Sequence, residues 1–239
     1  MNKFEMILKD AQIPRPYGYS FYFKNYIFNG ISLENKTILD LGGGNGIASF
    51  FALYSTSSCS AWIVDPIAEG SNQLMTDQYN ILKDKIDPAR IHFHRDLIDT
   101  LNEPEYFDII LMHNSINHIG EDIIEEALVN EEKHKEYVER IKEITDRLKK
   151  GGTIIVADCA RRNFWGDLGL NSPVAPSIEW NLHCQPNVWQ KMIEEAGSVH
   201  ISSNRTARRE LGIFGKILLA NRPCSYMLDS HFVSKYQKM

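Results

Sequence analysis

No stretch of the 239 residues comes near the ~20 consecutive apolar positions that a membrane-spanning helix requires, so no span, and no membrane as a partner, is expected. Cysteine is sparse and scattered, at Cys59, Cys159, Cys184 and Cys224, with no Cys-x-x-Cys pair. Neither a disulfide framework nor a cysteine-rich zinc site is therefore expected. The start, Met1-Asn2-Lys3-Phe4-Glu5-Met6, lacks an apolar segment behind a basic one. No secretory signal is read there, and a cytoplasmic location is the default. Positive charge is not in excess: 26 Lys and Arg stand against 31 Asp and Glu, a formal net charge of −5. A nucleic-acid partner needs a basic face for its phosphates. Here basic residues cluster only as Arg161-Arg162 and as Arg205, Arg208 and Arg209, so DNA or RNA is not expected. Repeats and low-complexity tracts are missing as well. What remains is an ordinary globular composition, 43% hydrophobic, long enough for one α/β domain with a large core.

Residues 37 to 47, Thr-Ile-Leu-Asp-Leu-Gly-Gly-Gly-Asn-Gly-Ile, are the most informative stretch. A short apolar run reads as a buried strand, ends in Asp40, and gives way to a turn holding Gly42, Gly43, Gly44 and Gly46. A helical run follows from Ile47. Strand, glycine turn and helix open a nucleotide-type binding unit, because glycine lets the backbone turn sharply and lets a ligand approach. A dinucleotide fingerprint wants a third glycine three residues after the second, and Ile47 or Ser49 stands at that place. The Gly-Lys-Ser/Thr of a phosphate loop is absent. Nothing provides for a pyrophosphate, whereas an acid at the turn suits a ligand carrying positive charge.

Further strands follow in order. Ala61 to Val64 ends in Asp65-Pro66, and an acid about 20 residues past a glycine turn is where a ribose diol is held. Ile91 to His94 precedes Arg95-Asp96-Leu97. Phe107 to Met112 forms a fourth run. Leu148-Lys149-Lys150-Gly151-Gly152-Thr153 leads into a fifth, Ile154 to Asp158. Helices are expected at 47–56, 70–86 and 186–196. Residues 121–149 read as one broken helix or two, with Ile124, Leu128, Val138, Ile141, Ile144 and Leu148 as a core stripe.

These signals, spread over residues 37 to 158, resemble the class I S-adenosyl-L-methionine (SAM) dependent methyltransferases. The Asp-x-Gly-x-Gly-x-Gly turn, the Phe107-Asp108 strand start and the Leu-Lys-x-Gly-Gly turn carry the likeness. The resemblance implies an α/β, Rossmann-like, doubly wound sheet of seven mostly parallel strands in order 3-2-1-4-5-7-6, strand seven being antiparallel. Residues 199–203 and 212–220 are read as strands six and seven. It implies SAM as cofactor, contacted by Asp40, Gly42, Gly43, Gly44, Gly46, Asp65, Pro66, Asp96, Leu97, His113 and Asn114. In the family an acid after the third strand holds the adenine amino group, and Asp96 matches it. The whole chain, 1–239, is expected to be one domain. Residues 1–36, rich in aromatics between Tyr17 and Tyr26, would cover the cofactor as a helical lid or pack on the sheet edge. Residues 159–189, broken by glycines and prolines but anchored by Trp165, Trp180 and Trp189, would be a substrate lid.

A hydroxyl acceptor benefits from a base, and histidine is the usual one. His113-Asn114-Ser115-Ile116-Asn117-His118 places two histidines just beyond the fourth strand. His118, which aligns with a histidine often found there in the family, is expected to be base or substrate contact, or else to cap the next helix. Asp158 and His183 are the other catalytic candidates. Asp158, Asp167 and His183 do not have a spacing that compels a metal, and none is expected. Arg161 or Arg162 would hold an anionic group on the substrate. The expected activity is methyl transfer to a small molecule, most readily at oxygen, such as a sugar or polysaccharide precursor or a secondary metabolite. Alternatives are an amine acceptor, a protein or RNA acceptor, and a non-catalytic SAM-binding partner subunit. No Asn-Pro-Pro-Tyr motif for a base amino group occurs. The oligomeric state is not legible.

Overall fold

In a computed structural model of the chain, residues 1–66, 73–95, 104–173, 176, 178–228 and 230–239 are described. Their centre is a seven-stranded sheet in order β3-β2-β1-β4-β5-β7-β6. Strands β1 (Thr37–Leu41), β2 (Ser60–Val64), β3 (Ile91–His94), β4 (Phe107–His113) and β5 (Leu148–Cys159) pair in parallel. β7 (His231–Lys238) runs antiparallel to β5 on one side and to β6 (Ser198–Arg205) on the other. Parallel strands are covered on both faces, which is why β1 and β4 read as continuous apolar runs rather than alternating ones. The fold expected from the glycine turn onward is the fold observed.

Two cores flank the sheet. One packs α1 (Lys3–Asp10), α2 (Pro16–Tyr22) and α3 (Ile47–Ser55) on Ile38, Leu111 and Ala157. The other packs α6 (Glu131–Thr145) and α8 (Pro186–Glu195) on Leu39, Met112 and Val156. Between α2 and β1 a π-helical turn, Phe23–Ile27, carries Phe23 and Ile27 into the first core. Tyr137, Ile141 and Ile144 recur at helical spacing on α6, while its outer face carries Lys–Glu pairs at i,i+3 and i,i+4. Asn130 caps α6 by accepting from the Glu132 and Lys133 amides. Pro186 opens α8 at a position where no amide partner is needed, and Trp189 is fully buried beneath it. Residues 121–149 are two helices, α5 (Ile124–Ala127) and α6, followed by the start of β5. α4 (Gln73–Lys83) follows β2.

One expectation is corrected. Residues 212–220 are not strand seven. They form α9 (Gly212–Leu218), and strand seven is His231–Lys238. An apolar run without clear periodicity fits strand or helix equally well. The true strand was hidden because Ser234 and Lys235 are polar yet buried, on a strand flanked by β5 and β6. Ser234 Oγ lies 2.6 Å from Ser203 Oγ, and the Lys235 ammonium donates to the Asn29 carbonyl. Two short helices complete the chain, α7 (Phe164–Asp167) and α10 (Arg222–Met227).

Candidate active site

The carboxyl ends of β1, β2, β4 and β5 meet where the strand order reverses, the place at which open α/β sheets hold their ligands. The turn after β1 is built for close approach. Gly42, Gly44 and Gly46 all have positive φ, at 66°, 55° and 73°. A Cβ on Gly42 would lie 2.5 Å from Ser115 Cβ, and one on Gly46 the same distance from Ile63 Cδ1. Only glycine satisfies both the backbone angle and the space.

Asp40 sits beneath this turn, 1% exposed. Its Oδ2 accepts from Ser49 Oγ at 2.7 Å, while its Oδ1 is buried without a partner. Burial pushes the carboxyl up to about 6, against the pull of the Ser49 hydrogen bonds. Asp65, just beyond β2, accepts the Gly44 amide on Oδ2 at 2.7 Å and so ties the turn to the second strand. A shallow cleft opens beside Gly44, between α4 and the end of β3, lined by Met75, Tyr79, Phe93 and Arg95. An orphaned buried carboxylate oxygen, a turn that tolerates no side chain and an apolar cleft beyond it fit an adenosyl ligand with a cationic end. Asp96 and Leu97, and the stretch after Pro66, lie outside the described residues.

Beyond β4 and β5 the polar side chains form two groups on opposite faces of the sheet. The first lies under the N-terminal helices. His113 ends β4 with Nε2 3.4 Å from the Tyr22 hydroxyl. Burial, with lesser contributions from His231 and Arg209, lowers this imidazole to about 3, so it is neutral at physiological pH. Asn114 is exposed, has φ 55°, and its Oδ1 lies 3.1 Å from His231 Nε2. The Nδ1 of His231 in turn lies 2.9 Å from Thr206 Oγ1. Tyr22, Thr206 and His231 were missed from sequence. Tyr22 was one of many aromatics, and the other two are brought in by a strand placed elsewhere.

The second group lies on the opposite face. Asp158, registered opposite Phe232 in β7, is fully buried, and its Oδ1 and Oδ2 are 3.0 and 3.2 Å from His183 Nδ1. The His183 side chain is 12% exposed. Two candidates 25 residues apart in sequence are thus one hydrogen-bonded pair. His118 is not part of either group. It lies in a 3-10 turn, Ile116–Gly120, with a side chain 58% exposed and Nδ1 2.7 Å from Glu121 Oε2. Arg162 also turns outward, to Asp167 at 3.1 Å, while Arg161 is half-buried. Asp167 is further held by Tyr226, so Asp158, Asp167 and His183 do not converge. Among the described residues no three metal-ligating side chains gather, and no helix is long and apolar enough to cross a membrane.

The comparisons agree with the topology. A search among curated proteins found no match. Among solved structures, a proposed SAM-dependent methyltransferase from Listeria monocytogenes superimposes with TM-score 0.60 at 12% identity, covering 93% of this chain and 98% of its own. A proposed methyltransferase in a complex with the Haloferax volcanii Trm112 methyltransferase activator gives TM-score 0.60 at 14% identity, covering 97% and 93%. An O-methyltransferase family 2 protein from Planctomyces limnophilus, solved with apigenin, gives TM-score 0.54 at 15% identity, covering 98% of this chain and 60% of its own. These likenesses concern the fold. The family model described as "Methyltransferase domain" matches residues 18–202. The chain therefore belongs to this methyltransferase family, has the class I fold, and takes SAM as its cofactor.

Proposed function

We propose that this methyltransferase acts on a hydroxyl oxygen of a small molecule, with His183 as general base and Asp158 as the group that orients it. The observation that carries this reading is the buried contact between Asp158 and His183 Nδ1. A carboxylate that accepts from Nδ1–H fixes the tautomer and leaves Nε2 with its lone pair outward. No partner for Nε2 occurs among the described residues, whereas the Nε2 atoms of His113 and His231 are both engaged. His113 is also held too far below neutrality to accept a proton readily. His118, exposed and paired with Glu121, is the weaker candidate.

The bound cofactor supplies a methyl group already activated on a sulfonium, so the protein's task is alignment, exclusion of water and removal of one proton. Asp40, the glycine turn, Asp65 and Pro66 would hold the donor, with His113 and Asn114 beside it. In this reading His183 Nε2 takes the hydroxyl proton as the oxygen attacks, and the resulting imidazolium is stabilised by the Asp158 carboxylate. Residues 159–189, which bring His183 to the sheet tip, would wall the acceptor space, and half-buried Arg161 would meet an anionic substituent. The chain is read as one domain throughout. Among the structures that share this fold, the one solved with apigenin is an O-methyltransferase family 2 protein.

The test uses His183→Ala and Asp158→Asn. Each is expected to lower kcat about 10²- to 10⁴-fold at neutral pH with SAM affinity unchanged. Full kcat in His183→Ala would point to an acceptor that needs no base, such as a neutral amine, and would remove the proposal.

A further inference from the structure

Between β6 and β7 the chain leaves the sheet, and this excursion contains α9. Gly212 and Gly215 of α9 face inward, whereas Ile213, Phe214, Ile217 and Leu218 are 47%, 74%, 70% and 64% exposed. Positions 213, 214, 217 and 218 share one helix face. Isolated exposed apolar residues need no explanation, but a contiguous set of large ones marks a contact surface. The helix is firmly seated on the opposite side. The Lys216 ammonium donates to the Asn25 carbonyl at 3.3 Å and lies over the Tyr26 ring. The apolar face is thus displayed by an anchored element.

The surroundings identify the occupant. Residues 205–222 hold five basic side chains and one acid, in a chain whose net charge is −5; Arg205 and Lys216 are engaged by the Ser230 and Asn25 carbonyls, while Arg208 and Arg222 are exposed. That acid, Glu210, lies between Arg15, Arg208 and Arg209 at 3.5, 3.6 and 3.7 Å, so one negative charge faces three positive ones. Arg222, at the start of α10, is exposed. A second copy across a two-fold axis would set this basic cluster against itself. A surface that is anionic outside and apolar within satisfies both features at once.

We propose that α9 docks on an anionic lipid surface, with Phe214, Ile217 and Leu218 entering the acyl boundary and Arg15, Arg208 and Arg222 reaching headgroup phosphates. This is attachment in the plane of the bilayer, not a span. It rests on none of the assignments made for the base or the acceptor. Because α9 packs on α2, whose Tyr22 contacts His113, docking would bring the His113 end of β4 toward the membrane surface.

The intact chain is to be sedimented with vesicles of phosphatidylcholine alone and of phosphatidylcholine mixed with phosphatidylglycerol. Binding to the mixed vesicles, weakened by salt, is expected. The double variant Phe214→Ser/Ile217→Ser should lose about tenfold or more in partitioning, since both side chains are apolar and exposed. Arg208→Gln and Arg222→Gln should each cost about fivefold. Thermal melting and SAM binding, measured in parallel, should match the parent; if the double variant melts early, Phe214→Ser alone replaces it. Failure to sediment with mixed vesicles, or sedimentation indifferent to the apolar substitutions, would overturn the proposal. So would a concentration-dependent dimer that these substitutions abolish, which would identify a second copy as the occupant.

Discussion

Asp40 shows how one buried carboxyl couples stability to ligand binding. Its folded value near 6 lies above the ordinary 3.8, because ionising it inside the protein is penalised. A raised carboxyl value means the unliganded protein is most favoured where Asp40 is protonated, below about pH 4, and loses that margin as pH rises to 6. The loss amounts to about 3 kcal/mol at most. The ligand's ammonium prefers the ionised form, so SAM affinity should move the other way. It is expected to fall as pH drops below 6, approaching tenfold per pH unit. Asp40→Asn should flatten both dependences, raising unliganded stability at pH 7 while weakening SAM. Melting curves and titration calorimetry between pH 4.5 and 8 read both trends. A pH-independent affinity in the parent protein would mean Asp40 does not sense the donor's charge. Asp65 offers a second check at this scale. It holds the Gly44 amide and would hold the ribose, so Asp65→Ala should weaken SAM by about tenfold or more, or 1.4 kcal/mol per tenfold.

At the scale of elements, the glycine turn can be probed by where each glycine sits. Gly42→Ala meets both a positive φ and a Cβ contact of 2.5 Å with Ser115, and should cost about 2–5 kcal/mol and most of the SAM affinity. Gly151→Ala has φ 75° but open space around it, and should cost about 1–2 kcal/mol with no effect on SAM. Urea unfolding midpoints distinguish the two, and equal losses would mean that packing at Ser115 gives way freely. The contrast also explains what could be read in advance. The turn was legible because its requirements are local: an acid, glycines and an apolar strand in fixed spacing. The pairing of Asp158 with His183 was not, since it depends on how residues 159–183 fold back over the strand. Strand seven was misread for a related reason. Lys235 and Ser234 are tolerated in this buried strand only because the Asn29 carbonyl and Ser203, distant in sequence, answer them.

For the molecule as a whole, β7 is the strand that joins β6 to the rest of the sheet. It lies between β5 and β6, antiparallel to both, and buries Phe232 and Tyr236 in the second core. A chain ending at Ser230 should lose cooperative unfolding and SAM binding together, although it keeps every residue of the glycine turn. Circular dichroism melts would show this, and a sharp transition in the shortened chain would mean that β5 can serve as an edge.

Class and cofactor were readable from residues 37 to 158, because parallel strands buried on both faces and a turn with no room for side chains leave local marks, while the strand order came only with the family resemblance those marks carry. The location of the last strand, the grouping of Tyr22 with His113 and His231, the union of Asp158 with His183 and the outward turn of His118 left no such marks. Each arises where segments far apart in the chain close on one another, and the polar atoms they bury find partners that neighbouring residues do not supply.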